Sequence, residues 1–149
     1  MSAAVDRFFV DTNVLLYSVD ATEAAKRARA RQWLDSLWAA DAGRLSWQVL
    51  NEFYSNAVGK MKTPAARARE NVETFALWQP VDFGLGLLQR AWYWMDRASV
   101  SYWDALIVAA AEAAGCKYLL TEDFQTGRKF DELTVVNPFL TGPENFDFK

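Results

Sequence analysis

The chain has 149 residues, the length of one domain, and with 52% hydrophobic and 23% charged residues it reads as folded rather than disordered. It has no histidine and one cysteine, Cys116, which excludes Cys/His zinc sites, Ser-His-Asp and Cys-His centres, histidine-based ribonuclease chemistry and any intrachain disulfide. The formal net charge of −3 offers no global attraction for a polyanion, so nucleic-acid binding requires a local basic patch or bound cations.

The first residues, MSAAVDRFFV, lack the basic and long apolar regions of a secretory signal, and no apolar run is long enough to span a bilayer. A reducing cytosolic setting is expected. Arg7 to Val10 (RFFV) is short, apolar and β-prone, and predicts a buried strand. TNVLLYSV follows as a turn or short helix. Thr22 to Ala40 predicts a helix capped by Thr22, with Trp33, Leu34, Leu37 and Trp38 at helical spacing. GRLS reads as a short strand, and WQVLNEFYSNAVGKM as a helix with Val49, Leu50, Phe53, Ala57 and Met61 on its apolar face.

Thr63 to Trp78 opens with a Thr-Pro pair suited to a helix N-terminus. The next stretch, from Gln79, predicts a turn or short strand and then a helix from about Gly84. Ser101 to Gly115 is the clearest helix, with Ser at its start and Gly at its end. KYLLTED predicts a strand running into a loop, and LTVVNP (Leu133 to Pro138) the last strand. The tail from about 138 to 149 reads as irregular. Strands separated by helices predict a single α/β domain over residues 1–149 with a mostly parallel sheet.

In such sheets, sites form just beyond the carboxyl ends of the strands. Asp11 directly follows the first strand; Glu122 and Asp123 follow the YLLT strand; Asp104 lies in the first turn of the SYWDALIVAAA helix. Each acid also has a plainer role. Asp11 can cap the following helix, Asp104 can complete a capping box with Ser101, and Asp123 can belong to a turn. Glu52 lies nearly opposite the apolar face of its helix, where a solvated glutamate is the default.

Taken together the acids say more. Clustered carboxylates repel one another unless cations compensate, and Mg²⁺ or Mn²⁺ prefers hard oxygen ligands. Without histidine, an all-carboxylate metal site is the most economical catalytic centre available, and its natural chemistry is phosphodiester hydrolysis.

The motifs FFVDTNVLLY, QVLNEFY, SYWDALIVAAA and LLTEDFQTG resemble, in order and spacing, the acidic motifs of PIN-domain ribonucleases, and most nearly those of VapC-type toxins of toxin–antitoxin pairs. The likeness runs from about residue 8 to 137. It implies a PIN-like α/β/α sandwich with a sheet of four or five strands. It also implies Mg²⁺- or Mn²⁺-dependent endonuclease action on RNA, with metal binding at Asp11, Asp104 and Asp123 and Glu52 as the fourth acid. Thr121 and Asn13 match supporting polar positions. A homodimer and a cognate antitoxin that blocks the cleft are the implied partners. Only the likeness promotes Glu52; its position on the helix argues for the surface unless that polar face lines the cleft.

Two other groups of residues bear on partners. Lys26, Arg27, Arg29 and Arg31, and Lys60, Lys62, Arg67 and Arg69, form basic clusters, the first read as a solvated helix face, whereas Arg128 and Lys129, a few residues past Asp123, are candidates to touch a substrate phosphate. Trp92, Tyr93, Trp94, Tyr102 and Trp103 suit a core or subunit interface first, and stacking on unpaired bases second. A non-catalytic binding module is the main rival, and the intact acids speak against it. A phosphatase with an aspartate nucleophile would carry a second Asp two residues after the first, where this chain has Asn13.

Overall fold

A computed structural model describes residues 4–148; residues 1–3 and 149 of the expected domain lie outside the described residues. The first strand, β1 (Phe8–Val10), is followed by helices α1 (Thr12–Ser18) and α2 (Ala24–Ala40) and a short strand β2 (Gly43–Arg44). Four helices come next: α3 (Trp47–Gly59), α4 (Ala65–Phe75), α5 (Leu85–Ala98) and α6 (Tyr102–Ala113). Strands β3 (Tyr118–Leu120), β4 (Lys129–Phe130) and β5 (Leu133–Val136) complete the sheet.

The sheet has the order β2-β1-β3-β5-β4, parallel throughout except for the antiparallel pair β4–β5. Phe8, Phe9 and Val10 are all buried, at 1%, 0% and 0% exposure. Successive strand residues point to opposite faces, so three buried in a row require cover on both faces. Helices supply it: α1 packs on α2 and α3, α3 on α4, α5 on α6, and α6 against β3. The expected layered α/β architecture is thus present. The chain leaves β1 for β2 on one side and returns to β3 on the other, so the switch point lies between the ends of β1 and β3. There the Asp11 N–H donates to the Leu120 carbonyl at 3.1 Å.

Several boundaries differ from expectation for identifiable reasons. Thr22 does not cap α2. Its N–H and hydroxyl both donate to the Asp20 carboxylate, at 2.9 and 2.6 Å, and Glu23 stands at the cap position instead. The helix expected to Trp78 ends at Phe75 and tightens into a 3₁₀ turn over Ala76–Trp78. That turn seats Trp78 against Gly43 of β2, where a Cβ would stand 2.5 Å from the indole. The stretch before α5 contributes only one parallel bridge, Ser46 with Val81. The tail is largely irregular, as expected, but it is part of the core: Phe146 and Phe148 pack on Phe8, and the Trp33 indole N–H reaches the carbonyls of Pro138 and Thr141. Among the described residues no helix is long and apolar enough to cross a membrane.

Candidate active site

Asp11 is only 6% exposed. It occupies the N-cap of α1, and its Oδ1 accepts the Thr12 N–H at 2.7 Å. Its Oδ2 accepts the hydroxyl of Thr121, the residue that follows β3, at 2.9 Å. The capping role and the site role are therefore one geometry. Burial raises the Asp11 carboxyl from 3.8 to about 7, and repulsion from Asp123 and Glu52 adds to the rise against the two hydrogen bonds.

The other acids gather around it. Asn13, in the first turn of α1, donates from Nδ2 to Asp123 Oδ2 and to Thr121 Oγ1, both at 3.0 Å. Thr12 donates its hydroxyl to Glu52 Oε2 at 2.9 Å. Gln48, one turn earlier on α3, donates to Glu52 Oε1 at 3.0 Å and to the Trp103 carbonyl at 3.4 Å. Glu52 is thus half-buried in a polar cleft, and the apparently solvated face of its helix is the wall of that cleft. Asp104 follows Trp103 in the first turn of α6, and its N–H donates to the Ser101 side chain at 3.2 Å. Partial burial raises the Asp104 carboxyl above its usual range, and both Asp123 and Glu52 push it further.

Asp123 and Glu52 therefore each act on both Asp11 and Asp104, which gathers the four acids at the switch point. Among the described residues no lysine or arginine pairs with any of them. Their donors are neutral hydroxyls, amides and backbone N–H groups. One buried polar atom in the cluster, Asn13 Oδ1, has no partner. Hard oxygen atoms with uncompensated negative charge suit a divalent cation of the Mg²⁺ or Mn²⁺ type. No three of the described acids form a ready-made cage. Mg²⁺ does not require one, since it keeps several waters and binds through one or two carboxylates.

Glu122 does not join the group. It turns to Lys26, 2.8 Å away, in an ion pair beside Tyr17 and Phe139. Arg128 is also committed elsewhere, donating to the Ala98 carbonyl and lying 4.7 Å from the Phe130 ring. Arg29 and Arg31 hold backbone carbonyls of Pro138 and Ser18. Much of the first basic cluster thus anchors the fold, and the Arg128 guanidinium expected near a phosphate ties α5 to the β4 loop. Of the expected aromatic set, Trp94 is buried and donates to Glu112 at 2.6 Å, whereas Trp92 and Trp103 are exposed. Sequence reasoning missed Thr12 and Gln48. The only available signal for Gln48 was its position one turn before Glu52.

A doubly wound α/β domain with a cluster of acids at its switch point defines the class of this protein. Residues 8–132 match the PIN domain family, and the chain belongs to it. Among solved structures, the Mycobacterium tuberculosis VapC20 toxin, which cleaves the sarcin-ricin loop, is similar in fold. It shares 21% identity, covers 78% of this chain and 91% of its own, and superposes with a TM-score of 0.54. No curated protein sequence matches.

Proposed function

We propose that this protein is a divalent-metal-dependent endoribonuclease and acts as the toxin of a VapBC-type toxin–antitoxin pair. The observation that carries the proposal is the convergence of Asp11, Glu52, Asp104 and Asp123 with no basic partner among the described residues. Membership of the PIN family and the fold likeness to an RNA-cleaving toxin support it.

Asp11, Asp104 and Asp123 would hold Mg²⁺ or Mn²⁺, with Glu52 as the fourth acid. When bound, such an ion lowers the pKa of water and neutralises charge that builds on phosphate oxygens. The protein's own residues supply order. The Thr12 N–H and Thr121 hydroxyl fix both oxygens of Asp11; Asn13 fixes Asp123; Thr12 and Gln48 fix Glu52. The apolar strand beneath excludes water from the floor of the cleft, and an RNA phosphate enters from the exposed side where Asp123 lies. RNA as substrate implies work in the cytoplasm. A cognate antitoxin that covers the acids and a homodimeric assembly complete the reading.

The test is cleavage of single-stranded RNA by purified protein with Mg²⁺ or Mn²⁺ and with EDTA. Cleavage that stops in EDTA and returns with either ion is expected. Cleavage that continues unchanged in EDTA would sink the metal mechanism.

A further inference from the structure

Two large aromatic side chains stand in solvent beside the acids. Trp103 is 62% exposed and Phe83 51% exposed. Both line a cleft of about 440 Å³ whose other walls are Gln48, Asn51 and Glu52. Glu52 therefore belongs to the acid cluster and to this cleft at once. The Gln48 amide, hydrogen-bonded to both Glu52 and the Trp103 carbonyl, ties the cleft wall to the acids. Exposed apolar surface gathered beside a polar site marks a place of contact rather than chance.

The surface continues past Asn51, which also lines a second cleft of about 270 Å³ with Trp47, Tyr54, Arg69 and Glu73. Trp47 is 37% exposed. The Arg69 Nε donates to the Tyr54 hydroxyl at 3.1 Å, which holds the guanidinium in the second cleft. The two clefts meet at Asn51, and together they present aromatic rings, an amide and a guanidinium beside the acids. Ring faces stack on bases of any identity, amides meet base edges, and a guanidinium meets phosphate. A purely apolar protein segment would match the rings but leave the Asn51 amide and the Gln48 amide edge without a polar partner.

We propose that the cleft between Phe83 and Trp103 is a nucleobase subsite. It seats an unpaired base of single-stranded RNA next to the phosphodiester at the acids, and the strand continues past Asn51 toward Trp47 and Arg69. This rests on the ribonuclease reading. Because Trp103 precedes Asp104 in the chain, stacking on its ring places the adjacent phosphate by the same turn of α6 that carries the acid. Duplex RNA, whose bases are already stacked, is excluded from the subsite.

The experiment uses the full chain and a short fluorescein-labelled single-stranded RNA. Binding is read by anisotropy with Ca²⁺ in place of the catalytic ion, and cleavage is read separately with Mn²⁺. Trp103→Ala weakens binding by roughly tenfold, Phe83→Ala by several-fold, and Trp103→Phe retains most of the affinity. Both rings are exposed, and Gln48 holds a backbone carbonyl at position 103, so the fold survives these changes. Affinity in Trp103→Ala equal to the parent's overturns the subsite even if RNA is cut. Equal binding of duplex RNA overturns it too. Dissociation of a dimer by Trp103→Ala, seen in light scattering, would show instead that the cleft between Phe83 and Trp103 is a contact between two copies. Binding that depends on Trp103 without any cleavage would leave the subsite standing and remove the nuclease reading. Absence of binding removes the subsite whatever the cleavage result.

Discussion

The hydroxyl of Thr121 donates to Asp11 Oδ2 at 2.9 Å across 110 positions of sequence. The same oxygen accepts the Asn13 amide at 3.0 Å and the Asp123 N–H at 3.1 Å. A hydroxyl has one donor and two acceptor sites, so Thr121 is fully used. It is also fully buried. Replacing it with valine keeps the shape and removes all three bonds, leaving Asp11 short of a donor. Thr121→Val should therefore slow RNA cleavage by roughly 10- to 100-fold, as loss of groups that orient metal ligands commonly does. Thr121→Ser should restore most of the rate. Equal rates for Val and Thr would show that the hydroxyl does not position the site.

Asp104 and Glu52 are expected to differ in weight. Asp104 has a raised affinity for protons, feels the charges of Asp123 and Glu52, and sits at the positive end of α6. Asp104→Asn should abolish cleavage while the melting temperature holds or rises, because a repulsive charge is removed. Glu52 is already satisfied by Thr12 and Gln48, so Glu52→Gln should cost only roughly 10- to 100-fold. Wild-type turnover in Asp104→Asn, with melting checked in parallel, would remove that residue from the active site.

Asp11 makes stability depend on pH in a direction opposite to that of an ion-paired carboxylate. Its folded value of about 7 lies above the unfolded value of 3.8, so the folded state holds the proton more tightly. Stability from this group is present below about pH 4 and is lost as pH rises toward about 7, then stays level. The loss is on the order of 4 kcal/mol in ion-free protein. Asp11→Asn should flatten this slope, so the variant gains on the parent as pH climbs. Manganese at neutral pH should raise the parent's melting temperature and leave the variant's unchanged. Parallel pH–stability curves for the two proteins would contradict the account.

Gly43 offers a check on the fold itself. Its neighbour Trp78 leaves no room for a Cβ. Gly43→Ala should destabilise by about 1–3 kcal/mol through overpacking, measured by urea unfolding. A neutral effect would mean that the 3₁₀ turn carrying Trp78 shifts freely away from β2.

The elements most legible in the sequence were those with a clear period or a clear cap. Phe8 to Val10 and the helix after Ser101 announce themselves because an apolar strand and a Ser-capped apolar helix have few alternatives. The two-residue strand β4 was not legible. Lys129 and Phe130 pair antiparallel with β5 at the sheet edge, and two residues carry no alternation to detect. Adjacent acids show the same limit at the site. Asp123 meets Asn13, while Glu122 swings to Lys26, a residue 96 positions away. Nothing local distinguishes them, because what decides is the helix each one faces. Glu52 was misjudged by periodicity for a related reason. A polar helix face looks the same whether it borders open water or a cleft, and Gln48 and Thr12 become informative only once α1 and α3 lie together.

The match to the PIN domain family ends at residue 132, short of the 137 expected from the motifs and one position before β5 begins. Yet β5 is interior to the sheet, bonded to β3 on one side and β4 on the other. A polypeptide trimmed at the border of the likeness would strip β3 of its neighbour and bare the ladder that supports Thr121. It would also unseat the carbonyls that cap the Trp33 indole. An open ladder of that kind invites pairing with other chains, so such a fragment should precipitate rather than fold.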